Sequence, residues 1–231
     1  MLLNLLGGEF DFFELMVSLF SVLFVVFCTM PIHEYAHALI ATKLGDETPR
    51  LSGRLTLSPF AHIDLLGALM IVVCGFGYAK PVRVNPRNFK DPKKGMALTA
   101  VAGPISNLIM GFVFVVLAAI FENVVERSGI LTEENYLILN AVYSFLFFAA
   151  TINVNLAVFN LLPIPPLDGS RILQLLIPAK YYYKFLQYER YVTIVVFVLI
   201  LSGVLSTPLS LASSFFLGLF MKIAAIPFSI F

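Results

Sequence analysis

There is no tryptophan in this chain, against 23 phenylalanines and nine tyrosines. Any aromatic belt at a membrane boundary must therefore use Tyr and Phe. Cysteine is scarce as well. Cys28 and Cys74 lie in separate apolar segments with no C-x-x-C pair, which predicts neither a disulfide nor a thiolate metal site. Charged residues make up only 13% of the chain, and the net charge of +1 gives no bulk electrostatic case for nucleic acid. The first residues, Met1 to Leu6, lack a basic region and a small-residue cleavage site, so no removable signal peptide is expected. Repeats, low-complexity linkers and long polar tails are missing. The 231 residues leave no room for a separate soluble domain.

What is abundant is apolar sequence. The chain is 59% hydrophobic with a mean hydropathy of +0.92, too apolar for an ordinary soluble domain. Stretches long enough to cross a bilayer read at 12–43, 96–121, 136–162 and 191–206. The stretch 209–231 either spans or lies at the interface, with Pro208 breaking the helix before it. Alternation of apolar and polar residues over 50–58, repeated briefly over 81–85, predicts two short strands. The segment 62–78 between them is apolar but short. Lys43, Arg50 and Arg54 on one side of it, and Lys80 to Lys94 on the other, both mark cytoplasmic loops. Re-entry reconciles the two better than a single crossing does. The acidic loop 122–135 then lies outside, and Lys180, Lys184 and Arg190 lie inside. The expected fold is an all-α polytopic membrane protein: a helix bundle with a re-entrant segment and a small interfacial β element.

Within the first apolar run stands His33-Glu34-Tyr35-Ala36-His37. Histidines four apart on a helix are separated by roughly 40° about its axis, so both imidazoles can face one ion. A glutamate beside the first is placed to take a proton from water at that ion. Ionisable groups in a membrane span are costly and point to function. Pro31, two residues earlier, predicts a kink. A catalytic zinc site needs a third protein ligand. His62, the only other histidine, reads as structural or gating. Asp64 and Asp168 are the carboxylates near apolar segments. Asp168 follows Pro163, Pro165 and Pro166, which force irregular backbone at the end of a span. The lesser alternative is a plain N-cap of a helix reaching residue 177.

H-E-x-x-H in a first span, followed late in the chain by Asn160, Pro163, Pro165, Leu167, Asp168 and Gly169, resembles the site-2 protease family of intramembrane zinc metalloproteases. Gly103 to Asn107 is similar to that family's G-x-x-x-N segment. The resemblance covers roughly residues 17–173 and implies one membrane-embedded metalloprotease domain over 1–231, with its core at 12–177 and C-terminal helices at 190–231. After Asp64 the chain has Leu65, where relatives often carry proline. Carried over residue by residue, the resemblance implies one Zn2+ on His33, His37 and Asp168, with Glu34 as general base. It implies transmembrane protein substrates in a cell membrane and no nucleic-acid partner. Asn160 is the candidate donor for substrate or oxyanion. Two readings of Asn107 stand: a second such donor, or a packing residue in the stripe Gly103, Asn107, Gly111. Asn153 and Asn155 read as interhelical hydrogen bonders. The strands at 50–58 and 81–85 are candidate edges for an unwound substrate. A membrane peptidase with a glutamate as third ligand lacks its E-x-x-x-D segment here. A transporter or a non-catalytic metal-binding scaffold is the alternative class, and no inverted symmetry supports transport.

Overall fold

The computed structural model describes residues 12–64, 66–67, 69–70, 80–178, 181 and 187–228. Helices α1 (Phe12–Phe24) and α2 (Met30–Lys43) are joined without a break by a π-helical turn, Val25–Thr29. Pro31 has no amide to return to the preceding turn. The helix widens just ahead of it: Met30 N–H donates to Val25 O, five residues back, and Thr29 Oγ1 donates to the same carbonyl at 3.0 Å. Wide turns of this kind recur at functional sites, and this one lies one turn before His33.

Two short helical turns follow, α3 (Thr48–Leu51) and α4 (Pro59–His62). Helix α5 (Pro92–Ser128) is capped by Asp91, whose carboxylate accepts Lys93 N–H and Lys94 N–H, both at 3.1 Å. Helix α6 (Tyr136–Asn160) returns antiparallel to it. Then come α7 (Gly169–Leu176), α8 (Glu189–Leu201) and α9 (Ser206–Ala225). Among the described residues, four helical stretches are long and apolar enough to cross a membrane: Phe12–Lys43, Pro92–Ser128, Tyr136–Asn160 and Ser206–Phe228. The protein is an all-α, multi-pass membrane protein. Its core joins Val25, Phe114, Val115, Ala149, Ala150, Val154 and Leu217, so α5, α6, α9 and the π-helical turn share one centre. Large side chains such as Phe20, Ile109 and Phe215 face outward, as lipid-facing helices require.

Three expectations are corrected. No strand occurs among the described residues. In 50–58, Arg50 and Leu51 belong to α3, and Arg54 N–H turns back to Pro49 O at 2.8 Å. The stretch 81–85 is extended but unpaired, because side chains take its amides. Val82 N–H donates to Glu34 Oε2 at 3.3 Å, and Asn85 N–H donates to Asp46 Oδ2 at 2.7 Å. Asp46 is fully buried and also accepts Thr48 Oγ1 and Asn88 Nδ2, at 2.6 and 2.7 Å. Burial alone would raise its pKa, but these donors hold the carboxyl below the usual carboxylate range.

The second correction concerns length. Helix α5 runs seven residues past the expected end of the apolar run, so Glu122 and Glu126 are helical and not in a loop. The third concerns the C-terminal region. The span-length helix is Ser206–Phe228, and α8, expected to cross, has 13 residues, about 20 Å against a hydrocarbon core of about 30 Å. Pro208 lies in the first turn of α9, where a missing amide costs nothing, so it opens that helix.

Much of the interior of segment 62–78 lies outside the described residues, as do Lys180 and Lys184. The described residues on either side of that part meet. Lys80 N–H donates to His62 O at 2.7 Å, and Arg54 Nη1 donates to Ala61 O.

Candidate metal centre

Helix α2 presents His33 and His37 on one face, one turn apart, each less than a tenth exposed. Their Nε2 atoms are 3.0 Å from one another. Asp168 Oδ2 completes a triangle, 3.4 Å from His33 Nε2 and 3.3 Å from His37 Nε2. Among the described residues, these three side chains form a group of metal-type ligands. The edges of a zinc tetrahedron with N and O ligands are about 3.3–3.6 Å, from bond lengths of about 2.0–2.2 Å. The donor set and its spacing fit zinc.

Asp168 occupies the N-cap position of α7 but makes no side-chain capping bond. Its Oδ2 is buried with no hydrogen-bond partner. An anionic oxygen in that state is costly unless a cation meets it. Gly169 explains how the carboxylate is held. A Cβ on Gly169 would collide with the Leu161 and Leu162 carbonyls, so the start of α7 sits directly on the end of α6.

The other ring nitrogens show which tautomers the histidines adopt. His37 Nδ1 is 2.7 Å from Thr99 O. A carbonyl only accepts, so Nδ1 carries the proton and Nε2 turns its lone pair to the centre. His33 Nδ1 is 2.5 Å from Asn107 Oδ1. Thr99, Gly103 and Asn107 make one stripe along α5, and Gly103 lies against the rings. A Cβ there would come 2.6 Å from His33 Cε1 and closer still to His37 Nε2. Gly103→Ala should therefore displace the imidazoles and strip the protein of zinc, while its helix content stays that of the wild type. Metal analysis beside circular dichroism checks this, and a zinc-replete variant would contradict it.

Glu34 is buried beside His33, with Oε2 accepting the Val82 amide. Asn160 does not join the triangle in this structure: its Nδ2 donates to Leu156 O on its own helix at 2.9 Å. His62 is buried and donates Nε2–H to Thr56 O at 2.7 Å, a structural role apart from the metal-type group. Asp64 caps the next helical turn by accepting Leu66 N–H and Gly67 N–H. Asn155 faces out of the bundle. Sequence reasoning does not reach the contact of Thr99 with His37 or of Val82 with Glu34, because both are made by main-chain groups. The only trace is that Thr99 extends the Gly103–Asn107 stripe by one turn.

Comparison with known proteins gives concordant matches. The family model described as Peptidase family M50 matches residues 20–203. YwhC of Bacillus subtilis (strain 168), which carries a zinc metalloprotease name, is 41% identical over 168 residues, 72% of this chain and 74% of its own length. Zinc metalloprotease MJ0392 of Methanocaldococcus jannaschii is 25% identical over 164 residues, and there the match covers 36% of the relative. Rip2 of Mycobacterium tuberculosis (strain H37Rv), also under a zinc metalloprotease name, is 31% identical over 62% of this chain and 52% of its own. No solved structure matches the chain.

Proposed function

The chain belongs to peptidase family M50 and is a zinc metalloprotease, and from that premise we propose that it is an intramembrane endopeptidase of the cell membrane, cleaving other membrane proteins in or near their transmembrane segments. The observation that carries this reading is the triangle of His33 Nε2, His37 Nε2 and Asp168 Oδ2, set between helices long and apolar enough to span a bilayer.

In this reading His33, His37 and Asp168 hold the zinc. Bound zinc supplies Lewis-acid polarisation of the scissile carbonyl and lowers the pKa of water towards about 7. Glu34 takes a proton from the attacking water and returns it to the leaving amine. The Val82 amide holds the Glu34 carboxylate by one oxygen and leaves the other for that proton. Asn160 turns from Leu156 O to donate to the substrate or its oxyanion. The extended stretch 81–85 lies next to the base and is the surface for an unwound substrate strand, even though it forms no sheet of its own.

The test uses the purified full chain in vesicles with a tagged single-span substrate. Cleavage within or beside the span should occur, stop on treatment with a zinc chelator and resume when zinc is returned. Intact substrate under zinc-replete conditions with a panel of single-span proteins, or cleavage that survives complete metal removal, would overturn the proposal.

A further inference from the structure

His37 and His33 are aimed by different means. His37 leans on a main-chain carbonyl, which cannot turn round. His33 leans on the side-chain amide of Asn107, which can: a half-turn would offer its NH2 in place of its oxygen. Something must hold that amide, and the structure shows a chain of bonds that does.

Ala149 O on α6 accepts Asn153 Nδ2–H at 2.8 Å. A carbonyl only accepts, so Asn153 must present its amino group there and its oxygen away from it. That oxygen accepts Asn107 Nδ2–H from α5 at 3.1 Å. Asn107 then presents Oδ1 to His33 Nδ1. An oxygen cannot donate, so the proton sits on His33 Nδ1 and the Nε2 lone pair faces the centre. Asn107 and Asn153 are 1% and 0% exposed, so water cannot supply a substitute partner. Each reversal along the chain would set oxygen against oxygen or amino group against amino group, at a cost that burial makes large.

We infer that Asn153 is a positioning residue: acting through Asn107, it selects the Nδ1–H tautomer of His33 and aims Nε2 at the metal. The inference rests on His33 being a zinc ligand, and it adds a residue on α6 to the metal centre. A pair of asparagines between membrane helices also serves as interhelical glue. The two roles separate in one experiment.

Asn153→Leu removes the partner that orients Asn107, keeps similar bulk, and leaves Asn107 free to turn its NH2 to His33. Zinc affinity should fall about 10–100-fold, the usual loss for a partner of a metal-bound histidine. Adding Asn107→Asp to that variant should restore most of the affinity. Both carboxylate oxygens accept, so the wrong orientation no longer exists. The readout is zinc competition with a chelating indicator on the full chain in detergent, with Asn153→Leu, the double variant and His33→Ala in parallel. Loss with Asn153→Leu and recovery in the double variant support the inference. Wild-type affinity in Asn153→Leu, or a loss that Asn107→Asp does not restore, overturns it and leaves Asn153 as glue. If His33→Ala binds zinc like the wild type, the ligand assignment fails instead. A measurement without variants stands beside these: nitrogen-15 shifts of the zinc-free wild type should show His33 protonated at Nδ1. A bare Nδ1, with the proton on Nε2 alone, would overturn the inference even if Asn153→Leu fails to fold.

Discussion

Glu34→Gln protein will purify with a full complement of zinc and will fail to cleave a membrane substrate. Glutamine keeps the size of the side chain and an oxygen to accept the Val82 amide, so the local backbone has no reason to move. The three metal-type ligands are other residues, so metal content stays at the wild-type level. What goes is the ability to accept a proton. Positioned acid–base groups contribute about 10²–10⁴-fold, and cleavage should drop by that much. Substrate turnover and zinc content, measured on one preparation, check both halves. Wild-type cleavage by this variant would remove Glu34 from the chemistry. The same variant addresses the alternative function classes, since a transporter would keep its flux and a structural metal site would not register the change.

Asp168→Ala will do the reverse and empty the site. Two imidazoles remain, which is short of the three protein ligands a catalytic zinc keeps. Affinity should fall by more than the roughly 100-fold that accompanies loss of an outer partner. Helix α7 should survive, because the Asp168 side chain makes no capping bond to it. Asp168→Asn is the finer version: same shape, no charge, and a much weaker ligand. Metal titration with helix content as control distinguishes site loss from unfolding. Undiminished zinc binding in Asp168→Ala would mean that the third ligand lies elsewhere.

The parts of the site that are legible in sequence are those written in side chains at helical spacing. His33 and His37 fall one turn apart, and Gly103 and Asn107 fall one turn apart on the helix that meets them. Asp168 is legible for another reason: three prolines just before it force irregular backbone, and such backbone at the end of a span needs a purpose. The strand expectation fails in 50–58 because the amides turn back on carbonyls a few residues earlier, and in 81–85 because alternation looks the same whether the amides pair with another strand or with Asp46 and Glu34. Those two carboxylates are far away in sequence, and local pattern does not contain them. Hydropathy marks how much of a helix is in lipid and not where the helix stops. Helix α5, with 37 residues, is about 55 Å long and continues through Glu122 and Glu126. Pro208 has the same appearance whether it closes one helix or opens the next.

The wide spacing of the ligands along the chain has a consequence for biogenesis. About 130 residues separate His37 from Asp168, and both α5 and α6 must be inserted before the aspartate arrives. In the proposed reading, a nascent chain still leaving the ribosome carries two of the three metal ligands and no proteolytic capacity. The enzyme becomes dangerous to its neighbours only once most of it is in place.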